Sequence, residues 1–238
     1  MLAIQRRRAK TALNGYASAI PQGLVMKNPE IDLYTWSTPN GRKVSIMLEE
    51  TGLDYRVNKV DITQGQQFGQ RFSEISPNNK IPAILDHSTK ISLMESGAIL
   101  LYLANKTGKL ISPIGPRYWQ EIEWLMFQMG GVGPMLGQSH HFLKFNPGKS
   151  IYAEERYRTE TQRLYKVLNE RLRKRQYLCD DYSIADIATW PWISRYEWQQ
   201  MNLREYPHLL DWYLRIAERP AVQRGYSVPT PLEIPLPD

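Results

Sequence analysis

The chain has 238 residues and a formal net charge of +6, a length that fits one or two domains at about 150 residues each and leaves core size unlimited. Hydrophobic residues make up 42% and charged residues 23%, as in ordinary globular proteins, and no apolar run approaches the ~20 residues of a membrane span. A single cysteine, Cys179, excludes an intrachain disulfide framework, a cysteine-based zinc site and a CxxC redox pair, so the sulfur for any thiol chemistry is expected from a ligand.

The charge is unevenly placed. Residues 1–29 hold Arg6, Arg7, Arg8, Lys10 and Lys27 and no acid, which is five of the six excess charges. The remainder is close to neutral and offers no basic face for nucleic acid. The first 29 residues read as a basic extension. Their Arg-rich, acid-free composition resembles a transit peptide, but no apolar core of a secretory signal follows the arginines. The plainer reading is a loosely attached segment, or an upstream start before Met26. The expected location is cytoplasmic, with organellar import through the extension as the alternative.

Ile31 to Trp36 reads as a strand, rich in β-branched and aromatic residues. Ser37-Thr38-Pro39-Asn40-Gly41 is turn chemistry, after which Val44, Met47 and Leu48 recur at helical spacing and Gly52 stands as a C-cap. Residues 55–60 suggest a second strand, Phe72 and Ile75 a short helix, and 81–85 and 91–94 two further strands. Ser96 opens a helix that ends near Gly108. The order βαβ, α, ββα predicts a small mixed sheet over 30–107. After a linker over 107–116 the strand signals stop. Amphipathic stretches at 117–139, 152–175, 183–201 and 206–218 predict an all-helical domain over 117–226. Ser183 to Asp186 resembles a capping box with Asp in the acid position. Residues 227–238 form a Pro-rich tail.

Three places in the first domain suit an anionic, peptide-like ligand. The turn at 37–41 sets two hydroxyls and an amide beside a helix N-terminus, whose unpaired N–H groups and positive dipole end stabilise an anion such as a thiolate. The plain alternative is a capped helix with no ligand. Asn79-Lys80-Ile81-Pro82 opens a strand. A cis proline there would leave the Ile81 backbone free to pair with an extended ligand, and a strand-edge proline is the bland alternative. At Glu95-Ser96-Gly97 the carboxylate can take an amine and the helix N-terminus a carboxylate, which together describe an amino-acid head group. A simple cap is again the alternative.

These residues are similar to the glutathione transferase superfamily. The likeness spans residues 31–225 and is carried by 34–48, by Asn78-Asn79-Lys80-Ile81-Pro82-Ala83, by Glu95-Ser96-Gly97-Ala98-Ile99 and by Tyr182-Ser183-Ile184-Ala185-Asp186. Thr38-Pro39-Asn40-Gly41, Gln66-Gln67-Phe68 and residues 133–138 further resemble its Nu class, which includes bacterial glutathione-dependent disulfide reductases. The resemblance implies a thioredoxin-like N-terminal domain, a helical C-terminal domain, a homodimer and a cis Pro82. It implies that Ile81 pairs with the cysteinyl backbone of glutathione, and that Glu95 and Ser96 hold its γ-glutamyl end. Lys80 would approach the glycyl carboxylate, Gln67 would add a polar contact, and Arg156 would reach an anionic ligand from the helical domain. Thr38 and Asn40 would face the sulfur as the catalytic pair, with Ser37 a rival to Thr38.

The departures are informative. Trp36 lies close to where the tyrosine-type classes carry their catalytic residue, Tyr34 is too early, and no cysteine stands at this turn. The resemblance therefore implies a glutathione-dependent disulfide-bond oxidoreductase that uses glutathione as co-substrate and no protein sulfur. A transferase or peroxidase acting on electrophiles or hydroperoxides is one alternative; a non-catalytic glutathione-binding module is another. Neither a nucleic acid nor a membrane is expected as partner.

Elsewhere the plain readings are preferred. Cys179 is taken as a core residue. The four histidines, His87, His140, His141 and His208, show no ligand spacing, so no metal is expected. Met135 and Phe142, near His140, are candidates to line the cleft for the second substrate. Trp190, Trp192 and Trp198 are taken as core, and Arg171 to Arg175 as a solvated helix face.

Overall fold

A computed structural model describes residues 29–237. The basic extension lies outside the described residues except for Pro29, as does Asp238. The first unit runs β1 (Ile31–Thr35), α1 (Pro39–Thr51), β2 (Tyr55–Lys59), two 3-10 turns, α2 (Gln70–Ile75), β3 (Ala83–Asp86), β4 (Ile91–Met94) and α3 (Ser96–Thr107). The sheet order is β2-β1-β3-β4, with β2 parallel to β1 and the other pairs antiparallel. This is the thioredoxin-like sheet. β1 is buried along its whole length, as a central strand must be. The Ile81-Pro82 peptide is cis, and the strand expected from Ile81 begins at Ala83, since proline has no N–H for the ladder.

The start of α1 is fixed locally. Thr38 accepts from the Gly41 N–H at 3.2 Å, Pro39 occupies the first turn, and Gly52 closes the helix at φ 75°. Gly41 has no substitute there, since a Cβ would sit 2.3 Å from the Trp36 carbonyl oxygen and 2.5 Å from Thr35 Oγ1.

The second unit comprises α4 (Pro116–Phe127), α5 (Gly133–Ser139), α6 (Ile151–Leu172), α7 (Ile184–Ile193), α8 (Pro207–Ala217) and α9 (Pro220–Tyr226). The stretch expected as one helix over 117–139 is interrupted by a π-helical turn at Gln128–Val132. Pro134 has no N–H to give the Gly130 carbonyl, so the regular ladder cannot run through. The stretch 183–201 breaks at Ile193, and a 3-10 turn at Tyr196–Gln199 follows. The amphipathic pattern does not announce α9 as a helix of its own. Its docking matters most for the site. A Cβ on Gly225 would lie 2.6 Å from Ile46 Cα, Ser45 Oγ donates to the Gly225 carbonyl at 2.6 Å, and Arg42 Nε donates to the Tyr226 carbonyl at 3.1 Å. α1 is thereby held between its own domain and the helical one. Beyond α9, residues 227–237 have no helix or strand, and the Tyr213 hydroxyl ties them back by donating to the Pro235 carbonyl.

Three local readings of the helical half can be settled. Ser183 and Asp186 form a complete capping box. Cys179 is buried in the core. Arg171 departs from the solvated-face reading: it is half-buried, donates to the Leu178 carbonyl at 2.7 Å, and lies 4.8 Å over the Trp124 ring.

Candidate functional site

Two adjoining cavities lie at the N-terminal ends of α1 and α3, sharing Asn40, Asn78, Lys80 and Ile81 in their walls. The smaller, about 70 Å³, is also lined by Pro82, Glu95, Ser96 and Met129. The larger, about 400 Å³, is lined by Thr38, Gln67, Phe68 and Trp192 as well. Of the nine residues singled out in the sequence, eight meet here: Thr38, Asn40, Gln67, Lys80, Ile81, Pro82, Glu95 and Ser96. Arg156 does not. It lines a separate cavity of about 500 Å³ with Met135, Tyr152 and Tyr157. Ser37, the rival to Thr38, is absent from the lining of these cavities.

Each wall offers specific chemistry. Thr38 Oγ1 spends a lone pair on the α1 cap, which leaves its hydroxyl hydrogen free to donate into the cavity. Cap and ligand contact are therefore compatible uses of one side chain. The Gln67 Oε1 oxygen is buried with no hydrogen-bond partner among the described residues, an acceptor that a ligand donor would satisfy. None of the described residues hydrogen-bonds the Ile81 backbone, so its N–H and carbonyl are available to an extended peptide. Glu95 sits at φ 69°, a left-handed conformation that a non-glycine residue adopts at a cost of about 1–3 kcal/mol and that clusters at binding sites. It stands at the N-cap of α3 with its side chain exposed and no capping hydrogen bond. Ser96, next to it, is buried at the first turn of α3, where free backbone N–H groups suit a carboxylate.

Two further residues matter here: Lys43, which the sequence reading passed over and which lies behind the walls, and Trp192, which it took as core. Lys43, fully buried on α1, reaches Ser96 Oγ at 3.2 Å, Gln128 Oε1 at 2.7 Å and Met129 Sδ at 3.4 Å. Burial pushes its ammonium down to about 7, against the opposing pull of Glu95. The available signal was a lysine four residues before Met47, on the apolar face of α1. Trp192, from α7, donates its indole N–H to Asn40 Oδ1 at 3.0 Å and lines the larger cavity. Nothing local to Trp192 announces this contact, which joins residues 152 positions apart. Of the two residues expected to line a second-substrate cleft, Met135 lines the Arg156 cavity, while Phe142 stacks on Tyr157 at 5.6 Å. Among the described residues no three His, Cys, Asp or Glu side chains gather as metal ligands would, and no helix is long and apolar enough to cross a membrane.

A thioredoxin-like sheet with an appended helical domain, and a cleft of outward backbone, helix N-termini and an acidic-hydroxyl pair, suits an extended, anionic peptide-like ligand. The chain belongs to the glutathione S-transferase family: the family's N-terminal domain model matches residues 29–105 and its C-terminal domain model residues 132–220. It is 53% identical over 197 residues to the disulfide-bond oxidoreductase YfcG of Escherichia coli (strain K12), covering 80% of this chain and 92% of that one. It is 39% identical over 221 residues to the disulfide-bond oxidoreductase YghU of the same organism, covering 86% and 76%. Among solved structures it resembles a glutathione transferase from Pseudomonas putida with one glutathione disulfide bound per subunit (44% identity, TM-score 0.79, covering 85% of this chain and 94% of that one). It also resembles one from Burkholderia graminis with two glutathione molecules bound per subunit (43% identity, TM-score 0.79, covering 84% and 89%).

Proposed function

We propose that the protein is a glutathione-dependent disulfide-bond oxidoreductase of the Nu class, working as a cytoplasmic homodimer with glutathione as co-substrate. The observation that carries the reading is the pairing of a sulfur-facing turn, Thr38 and Asn40, with an open Ile81 backbone in one continuous pair of cavities. The relatives named as disulfide-bond oxidoreductases, and the neighbours that hold glutathione or its disulfide, support it.

The tripeptide lies extended along Ile81. Its γ-glutamyl ammonium meets the Glu95 carboxylate and its α-carboxylate the Ser96 hydroxyl and the α3 N-terminus. Lys80 faces the glycyl carboxylate, and a ligand N–H donates to Gln67 Oε1. The cysteinyl sulfur then falls beside Thr38 and Asn40, whose donors and the α1 dipole favour thiolate over thiol. That thiolate attacks one sulfur of a substrate disulfide: the new S–S bond joins glutathione to the substrate and the other substrate sulfur leaves as a thiolate. A second glutathione thiolate attacks the glutathione sulfur of the mixed disulfide. This releases the remaining substrate thiolate and forms glutathione disulfide. The two protons given up by the glutathiones return to the two substrate thiolates. The protein contributes orientation and preorganised donors, and no sulfur of its own. The reading gives Arg156 no part in holding this first tripeptide.

Titration calorimetry with glutathione disulfide, followed by a glutathione-dependent assay on a small mixed disulfide, tests the reading. Heat of binding and turnover are expected. Binding without turnover would make the protein a glutathione-binding module, and no heat at millimolar ligand would overturn the reading.

A further inference from the structure

We propose that Trp192 is a positioning residue for the disulfide chemistry, its indole N–H locking the Asn40 side-chain amide so that Nδ2 points at the reacting sulfur. The inference rests on the oxidoreductase reading and adds to it a residue from the other domain.

An indole nitrogen carries a hydrogen and no lone pair, so it only donates. It lies 3.0 Å from the outer atom of the Asn40 amide. That atom must be the oxygen, since the flipped amide would set N–H against N–H. With Oδ1 committed to Trp192, Nδ2 is left to donate elsewhere, and among the described residues nothing hydrogen-bonds to it. Asn40 lines both cavities at the first turn of α1, so its free hydrogens serve the place where sulfur charge would develop. A freely rotating amide would present its oxygen there part of the time, and an oxygen lone pair repels a thiolate.

The indole is itself held from several sides. It stacks on His140 with ring centroids 5.6 Å apart and planes at 21°. Gln199 Nε2 donates to the Trp192 carbonyl at 2.9 Å and lies 3.0 Å from His140 Nε2, while its Oε1 accepts from the Tyr165 hydroxyl. Burial and the neighbouring Arg195 charge press His140 down to about 4, so the stacked ring stays neutral at working pH and can accept from Gln199. α5 packs against the indole: a Cβ on Gly137 would meet Cη2 at 3.4 Å, an ordinary contact, whereas at Gly133 the tight neighbour is Gln128 Nε2 at 2.8 Å, with Trp192 Nε1 at 3.4 Å.

Trp192→Phe keeps an aromatic ring against His140 and removes the donor together with part of the indole's bulk, so the comparison on the Asn40→Ala background isolates the donor. The expected result is a fall in kcat of roughly tenfold, the scale of one hydrogen bond to a charged group. The apparent pKa of bound glutathione, read from thiolate absorbance, should rise, while the glutathione KM stays within about twofold because the backbone and carboxylate contacts are untouched. On an Asn40→Ala background the same Trp192→Phe change should have no further effect. An equal loss on both backgrounds, or an unchanged thiolate pKa, would overturn the positioning role while leaving the oxidoreductase reading intact. Absence of turnover in the unaltered protein would overturn both.

Discussion

Lys43 Nζ lies 3.2 Å from Ser96 Oγ and 2.7 Å from Gln128 Oε1, so one buried ammonium joins the start of α3 to the helical domain behind the cleft. It gives Ser96 a donor on its inner side, while the serine's own hydroxyl donates to Met129 Sδ at 3.8 Å. Its titration follows from this burial. Lys43 falls from the ordinary 10.5 to about 7 in the folded protein, so between those values the unfolded chain binds the extra proton. Stability from this residue therefore rises as pH goes from about 7 towards 10 and is lowest below 7, where folding must bury a charge. Lys43→Met should flatten that rise. Urea midpoints of the two proteins across this range check it, and parallel curves would contradict it. The same variant should weaken glutathione binding, because Ser96 loses the partner that orients it.

Thr38 and Ser37 are separable by mutation. Thr38→Ala removes the cap on Gly41 and the hydroxyl facing the cavity, so it should cost about 1 kcal/mol of stability as well as turnover. Thr38→Ser should preserve both. Ser37→Ala should leave turnover within about twofold, since Ser37 does not line the cleft. Denaturation midpoints and steady-state rates on the three variants decide which hydroxyl is used.

Asp186 is the structural hub of the helical domain. Fully buried, it accepts from the Leu178 N–H and the Ser183 N–H at 3.0 Å and from the Trp212 indole at 2.8 Å. Asp186→Ala would leave the two backbone N–H groups and the indole, and with them the Ser183 hydroxyl that also donates to Oδ2, without this acceptor, an expected loss of roughly 3 kcal/mol or more by thermal or urea unfolding. Burial lifts its carboxyl from 3.8 to about 6. The native state then binds the proton more readily than the unfolded chain between these values, so this group's contribution to stability declines as pH rises through that window.

How much of this was legible in the sequence depends on range. The α1 cap and the Ser183–Asp186 box are local, set by residues three apart, and their residue types announce them. The cis Ile81-Pro82 peptide and the gathering of residues 38, 40, 67, 80–82, 95 and 96 came through the family likeness. Lys43 and Trp192 were not found. Each acts through a side-chain contact 53 to 152 residues away, created by how α1, α3 and α7 pack, and a buried lysine or tryptophan read alone looks like a helix-face charge or core filler. Arg156 shows the converse. Its motif was recognised, yet its place on α6 sets it in another cavity.

Cys179 supplies the most direct test of the borrowed-sulfur mechanism, because it is the chain's single thiol. It is 1% exposed, and burial raises its pKa to about 12, so it is held as an unreactive thiol in the core. The decisive measurement is the steady-state rate of glutathione-dependent reduction of a small disulfide by Cys179→Ala. The account predicts a kcat equal to that of the unaltered protein; loss of turnover in a correctly folded Cys179→Ala protein would contradict it.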